Sequence, residues 1–339
     1  MIKSILLSAF IASVFSGTAL AYDVDEKLSI DGTLTSVYQY VVYDEGGGED
    51  RGRGALVLDI GLNYHPSDVD EFQVTLSYAD GNALNTFVPF SFVPYADTLE
   101  DDLVGINGSN RDNLLEAWYK HTFRRSNTET LGITWGFIDA SRYIAQNEFA
   151  GDEVSQFMND AFVSNPSTTL PAYDMGGAAE LLLTNFTLHV VGMSTKNDVD
   201  NSYNYYALQA GYRLMTALGE GNYRFMAFTT SEQFPASTGT GLEKRQGYGI
   251  SFDQRLGDIL GIFVRLGRQA DDAIVDYDAL NSGGLNVSGK LWGSVNDEIG
   301  IAYGRVEGAD QSPLDHTTIA EVYLKVQVSE RFDATLDVQ

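Results

Sequence analysis

The sequence predicts an all-β fold, a transmembrane antiparallel β-barrel of about sixteen strands with a long loop constricting its lumen. Three observations carry this. Apolar and polar residues alternate at period two along most of the chain. The alternating segments run roughly 8–14 residues, near the ~9–11 of a tilted membrane-spanning strand and longer than the ~5–6 of an ordinary one. Beyond residue 21, no apolar run approaches the ~20 residues of a membrane helix.

Composition sets the outer limits. The chain has 339 residues, with 47 Asp and Glu against 21 Lys and Arg, a formal charge of −26. It has no Cys, which excludes disulfides and thiolate metal or redox sites. So acidic a chain is a poor partner for nucleic acid, and none is expected.

The N-terminus reads as a secretory leader. Met1-Ile-Lys is a basic start, Ile5 to Phe15 is a short apolar run, and Ser16-Gly-Thr-Ala-Leu-Ala offers a small-residue cleavage site after Ala21. The apolar run is too short to be an anchor. Residues 1–21 are thus expected to be removed, which costs Lys3 and moves the formal charge from −26 to −27. Residues 22–339 form one barrel domain, with no linker and no repeat beyond the strand period.

The strands follow in order. Leu28, Ile30, Leu34, Tyr38, Tyr40 and Val42 share one parity, and Ser29, Asp31, Thr33, Thr35 and Gln39 the other. Leu56, Leu58, Ile60, Leu62 and Tyr64 alternate with Val57, Asp59, Gly61 and Asn63. The same holds for Tyr206 to Leu214, Leu260 to Leu266, Leu285 to Leu291 and Val322 to Val328. Successive strand side chains point to opposite faces, so each segment has one apolar and one polar face. In a soluble sheet the apolar face points inward; in an outer-membrane barrel it faces lipid and the polar face lines a lumen. Segment length, Tyr and Phe at strand ends, and a polar face of Gly, Ser, Thr and Asn with isolated charges favour the membrane. Lipid offers backbone groups no hydrogen bonds, so the sheet must close.

Connections alternate short and long, as in barrels with short periplasmic turns and long outer loops. Two loops, Asp80–Asn113 and Asp139–Asp174, exceed about 30 residues, a length that is uncommon without a function. The second should be helical over Asp152 to Asn159 and should narrow the lumen. About fifteen strands are visible, whereas bacterial barrels have an even number. The last segment, Phe332 to Val338, stops at Gln339 without the usual terminal aromatic, so the sixteenth strand is expected to be missing at the C-terminus.

Several stretches resemble a known family. They are Asn113-Leu-Leu-Glu-Ala-Trp-Tyr, Leu131-Gly-Ile-Thr-Trp-Gly-Phe-Ile-Asp-Ala, Gln156-Phe-Met-Asn-Asp-Ala-Phe, Asn165-Pro and Pro171-Ala-Tyr-Asp. To these the end of the chain adds Ala320-Glu-Val-Tyr-Leu and Leu336-Asp-Val-Gln. Together they resemble the carbohydrate-selective, OprB-type porins of Gram-negative bacteria, most clearly over residues 113–180. The resemblance implies a sixteen-stranded barrel that passes sugars and small solutes across the outer membrane. The acidity of this chain departs from the family and puts the solute preference in question.

A porin needs no catalytic residue and no cofactor. It needs an eyelet, charges that set ion preference, and groups that replace a solute's hydration. The wall candidates by parity are Asp59, Glu116, Trp118, Lys120, Arg213, Asp253, Arg265 and Lys290. The loop candidates are Arg142, Tyr143, Asn147, Glu148, Phe157 and Asn159. The plainer reading of each is a wall position without a selectivity role, or a strut; Glu116 and Lys120 share a face and can pair with each other. His65, His121, His189 and His316 sit in no catalytic motif, so no enzyme is expected. The acidic loops (Asp198, Asp200; Asp271, Asp272, Asp276, Asp278) lack the order of a calcium loop, so no metal is expected, and they read as a solvated rim that enriches cations. Expected partners are outer-membrane lipid and lipopolysaccharide, with small saccharides or ions as solutes. A homotrimer is the common assembly at this barrel size. A general cation-favouring porin, and a structural or receptor barrel with a plugged lumen, are the competing functions.

Overall fold

The fold follows from the two-faced strands just described. The structure is a computed structural model describing residues 7–43, 49–85, 95, 98–197, 201–312 and 315–339; for 7–12 and 18–21 it describes the backbone alone. Lys3, Asp198 and Asp200 lie outside the described residues.

The strands are β1 (Leu7–Asp23), β2 (Leu28–Tyr43), β3 (Arg51–Ser67), β4 (Asp70–Asp80), β5 (Leu114–Ser126), β6 (Glu129–Ile138), β7 (Asp174–Leu183), β8 (Phe186–Lys196), β9 (Ser202–Thr216) and β10 (Gly219–Thr230). A small hairpin, β11 (Phe234–Pro235) and β12 (Leu242–Glu243), precedes β13 (Gln246–Leu256), β14 (Leu260–Gln269), β15 (Tyr277–Ser288), β16 (Glu298–Gly308), β17 (His316–Ser329) and β18 (Phe332–Val338). All but the hairpin form one closed barrel of sixteen antiparallel strands, with β18 paired to β1. Closure leaves no free sheet edge, which is what a sheet in lipid requires.

The parity of the sequence becomes the inside and outside of the barrel. On β2, Thr35, Val37, Gln39 and Val41 are buried, while Leu34, Tyr38 and Tyr40 are exposed. On β14, Gly261, Phe263, Arg265 and Gly267 are buried, while Leu260, Val264 and Leu266 are exposed. The outer surface is therefore an apolar belt, and Tyr64, Phe72 and Tyr119 stack across three strands at its short-turn rim, with centroids 6.1 and 4.7 Å apart. Amphipathic rings at such a rim suit a membrane interface.

The sequence expects the sixteenth strand to be missing beyond the last residue. In the structure its place is held by Leu7–Asp23, the segment the sequence reads as leader. That strand runs from Leu7 opposite Tyr43 to Asp23 opposite Ser29, and pairs Ile11 with Val338 through Gly17 with Phe332. Val14 is buried and Phe15 exposed, so here too neighbouring side chains part to opposite faces. A segment apolar enough to be a leader also satisfies a strand with one face on lipid.

Two boundaries differ from the sequence reading. β15 ends at Ser288, and Gly289–Trp292 is a short 3-10 turn closed by Gly293 at φ 88°. The strand expected through Leu291 thus stops early, because the Ser288 side chain accepts from Lys290 N and starts the turn there. Beyond a 3-10 turn at Ala140–Arg142, the loop 139–173 has a turn at 152–156 and a short α-turn, α1 (Asp160–Val163), in place of a helix over Asp152 to Asn159. Asp152 Oδ1 accepts from Val154 N and Ser155 N, and Asn159 Oδ1 from Ala161 N, so two caps start two separate turns.

A candidate pore collar on the inner wall

The inward faces of the strands carry polar groups that need partners, and the loop 139–173 supplies them. Its outward limb starts at Ile138. Tyr143 O accepts from His189 Nδ1 on β8 (2.8 Å) and Gln209 Nε2 on β9 (3.2 Å), while Gln209 Oε1 accepts from Ala145 N (2.9 Å). Asn147 Nδ2 donates to Ser251 Oγ on β13 (3.1 Å), and Ser251 Oγ donates to Gln146 O (2.7 Å). Arg265 on β14, 1% exposed, donates to Ala145 O and Ala150 O. Thr335 on β18 donates to Val154 O (3.2 Å). At the tip, Glu321 on β17 accepts from Met158 N (2.5 Å) and Asn159 N (3.1 Å), and Gln39 on β2 reaches Met158 S at 3.2 Å.

The return limb retraces the wall nearer the long-loop end. Phe162 on α1 packs over Gly304 on β16, Asn165 Nδ2 donates to Leu266 O on β14 (3.4 Å), and Leu170 packs against the group from β7 to β10. Glycines make room for both limbs. A Cβ on Gly261 would stand 2.4 Å from the Phe149 ring, and one on Gly267 2.1 Å from Ser167 Oγ.

The outward limb passes β8, β9, β13 and β14 in order, meets β18 before β17 at its far end, and the return limb passes β16, β14 and the β7 to β10 group, so the loop follows the wall for most of its length. The loop forms a collar. Phe157 anchors its far side among Phe162, Phe263 and Tyr323 at centroid distances of 5.5, 5.4 and 4.8 Å. Burying each such ring contributes about 1.5–3 kcal/mol.

The structure sorts the predicted site residues. Glu116, 2% exposed, is held by Arg142 of the collar through Arg142 Nε to Glu116 Oε1 (2.6 Å), and Arg142 remains about half exposed. Glu116 and Lys120 do not pair with each other: Lys120 Nζ reaches Glu180 Oε2 on β7 at 2.5 Å. Glu148 pairs with Arg255, and its backbone N–H donates to Asp253 Oδ2 (3.2 Å), which also takes Arg224. Tyr143, Asn147, Phe157, Asn159, Asp253 and Arg265 are collar anchors. Trp118 points inward, packed beside the group from β7 to β10. Asp59 is half-buried on the inward face of β3. Arg213 lies at the short-turn end, donating to Thr184 O (3.4 Å). Lys290 is exposed in the 3-10 turn rather than on a strand wall, because β15 has already ended.

The collar's electrostatics follow from its partners. Burial would lower the Arg142 pKa, but its bonds to Glu116 outweigh that and raise it. Burial pushes the Tyr143 hydroxyl up to about 12, so it stays protonated. The sequence reading missed Gln39, Glu180, His189, Gln209, Arg224, Ser251, Arg255 and Glu321. Each stands at inward parity, which was the available signal; what parity lacks is the distant partner, which is loop backbone for Gln39, His189, Gln209, Ser251 and Glu321 and a charged side chain for Glu180, Arg224 and Arg255.

A closed sixteen-strand barrel with an apolar outside and a collar pinned inside has the fold of a porin. The solved structure of OprB from Pseudomonas putida superposes with a TM-score of 0.64 over 99% of this chain and 93% of its own, at 12% identity. The outer membrane protein OpdK of Pseudomonas aeruginosa is more distant, with a TM-score of 0.45 and 9% identity over 98% of this chain and 97% of its own. The OprB-type resemblance carried by residues 113–180 is thus borne out in fold, and that stretch is β5, β6, the collar and the start of β7. By sequence, an uncharacterised protein of Aquifex aeolicus is 31% identical over 275 residues, 79% of this chain and 77% of the relative, and the chain belongs to that protein's family. No described family model matches it.

Proposed function

We propose that the chain is an outer-membrane porin that passes small hydrophilic solutes down their gradients, with a preference for neutral, hydroxyl-rich solutes such as saccharides. The carrying observation is the collar: it follows the wall for most of its length, and two of its charges stand in opposite-sign pairs with the wall, Arg142 with Glu116 and Glu148 with Arg255. A wall-bound ring narrows a lumen without closing it. Such pairs present donors and acceptors side by side, as a hydroxyl-rich solute needs. The reading places the protein in the outer membrane and asks for no cofactor and no catalysis.

Single-channel recording in a planar bilayer, with a salt gradient and a saccharide titration, tests it. Stable conductance blocked saturably by saccharides is the expected result. Conductance with cation preference and no block would support the general porin. A folded barrel without conductance would overturn the transport reading in favour of a plugged receptor.

A further inference from the structure

Below the collar's first turn, on the short-turn side, the inner wall of β5 to β8 holds a pocket of about 260 Å³. Register places its groups in rows. Thr122, Gly132, Glu180 and His189 lie opposite one another in sequence across the four strands, with Thr130 and Thr187 in the row below and Lys120 one step above. Lys120 and Glu180 are each about a quarter exposed, paired at 2.5 Å. Gly132 keeps the pocket open, since a Cβ there would stand 2.8 Å from Lys120 Cε and 3.4 Å from Glu180 Oε2. A carbonyl only accepts, so His189 Nδ1 must carry the proton it gives to Tyr143 O. Its Nε2 is then an acceptor in the neutral ring.

We propose that this pocket is a saccharide-binding station beneath the collar, taking one sugar ring through its hydroxyls. The inference rests on the saccharide reading of the porin and adds a site to it. An ammonium beside a carboxylate matches two neighbouring hydroxyls, one accepting from Lys120 and one donating to Glu180. Thr122, Thr130 and Thr187 can each give and take a further bond. The pair is internally neutral, so an anionic solute meets Glu180 and a cationic one meets Lys120, whereas an uncharged polyol meets neither as a like charge. The volume lies just below the ~300 Å³ where ligand pockets begin, which suits one ring.

The test uses the full-length protein in bilayers, with channels of known orientation and glucose added to one chamber at a time. Two variants probe the pocket: Gly132→Val fills it while keeping every charge, and Thr122→Val with Thr187→Val removes two hydroxyls at constant shape. Heat-modifiable migration on a gel reports that each barrel is folded. Losing two such bonds should weaken glucose block from the short-turn face about tenfold relative to block from the long-loop face of the same channel. A general change in the barrel would move both faces together. A wild-type channel that glucose blocks, with both variants keeping the wild-type ratio between faces, overturns the station and leaves the porin reading standing. A wild-type channel that glucose blocks from neither face overturns both.

Discussion

The two long loops are similar in length, yet their described residues are held in different ways. The described residues of 81–113 pack on nearby strands: Ala83, Leu84, Tyr95 and Leu99 join Val37 and Val41 of β2 and Ala55 and Val57 of β3, while Leu103 and Ile106 meet Leu115. Many of that loop's polar bonds are internal, such as Gly81 N to Glu100 Oε2 (2.7 Å), Asp101 N to Asn82 Oδ1 (2.9 Å) and Gly105 N to Asp112 Oδ1 (2.7 Å). Residues 139–173 instead give up their backbone to side chains on β8, β9, β13, β14, β17 and β18. The first loop is a shelf that folds locally on apolar contact. The second is a collar whose shape is imposed by the wall, so wall mutations far from it in sequence should change the pore.

The largest effect should come from Arg265→Met. Arg265 holds the outward limb at both Ala145 O and Ala150 O, and each charge-assisted bond contributes about 1.5–3 kcal/mol. We expect higher, noisier single-channel conductance in a barrel that still folds. Unchanged conductance would mean that Arg265 is not what fixes the collar.

Gly267→Val should come next. Its side chain would occupy the place of Ser167 Oγ and Asn165 Oδ1, an overpacking cost of about 1–3 kcal/mol. The return limb is forced off β14 while the outward limb stays anchored, so conductance should rise less than in Arg265→Met. Protease accessibility around residue 165, measured in detergent, should increase; a fully protected return limb would count against this placement.

Arg142→Gln sharpens the comparison electrostatically. It removes the cation facing Glu116 and leaves a buried carboxylate at the collar. The reversal potential in a salt gradient should move toward cations, with a smaller change in conductance than either anchor variant gives. A shift toward anions would contradict the pairing of Arg142 with Glu116.

These differences also explain what could be read from sequence. Strand parity is a local signal, so the inward placement of Asp59, Glu116, Asp253 and Arg265 was legible from their neighbours two residues away. The collar was legible as a long loop but not as a path, because a loop has no period. Arg265 and Ala145 are 120 residues apart, and no spacing rule links a strand arginine to a loop carbonyl. Arg265 therefore reads as a lumen charge in the sequence and as a strut in the structure. Lys290 was misread for the opposite reason: the alternation ran on past Ser288 by chance, into a turn started by the Ser288 side chain and closed by Gly293. The leader and β1 show a third case, in which one apolar segment fits two roles and composition does not separate them.

The smallest expected effect lies where the two loops meet. Gln39 on β2 accepts from Leu84 N of the shelf (3.0 Å) and reaches Met158 S of the collar tip (3.2 Å). Gln39→Leu removes both contacts at similar volume, leaving the Leu84 N–H buried without that acceptor, at a cost of about 1–3 kcal/mol. The apolar packing of Leu84, Tyr95 and Leu99 should keep the shelf in place, and Glu321 should keep the tip. Mean conductance should then stay near wild type, with only a modest fall in the temperature of heat-modifiable unfolding. If Gln39→Leu instead opened the channel as far as Arg265→Met, the shelf and the collar would be one mechanical unit. Their different anchoring would then have no bearing on the pore.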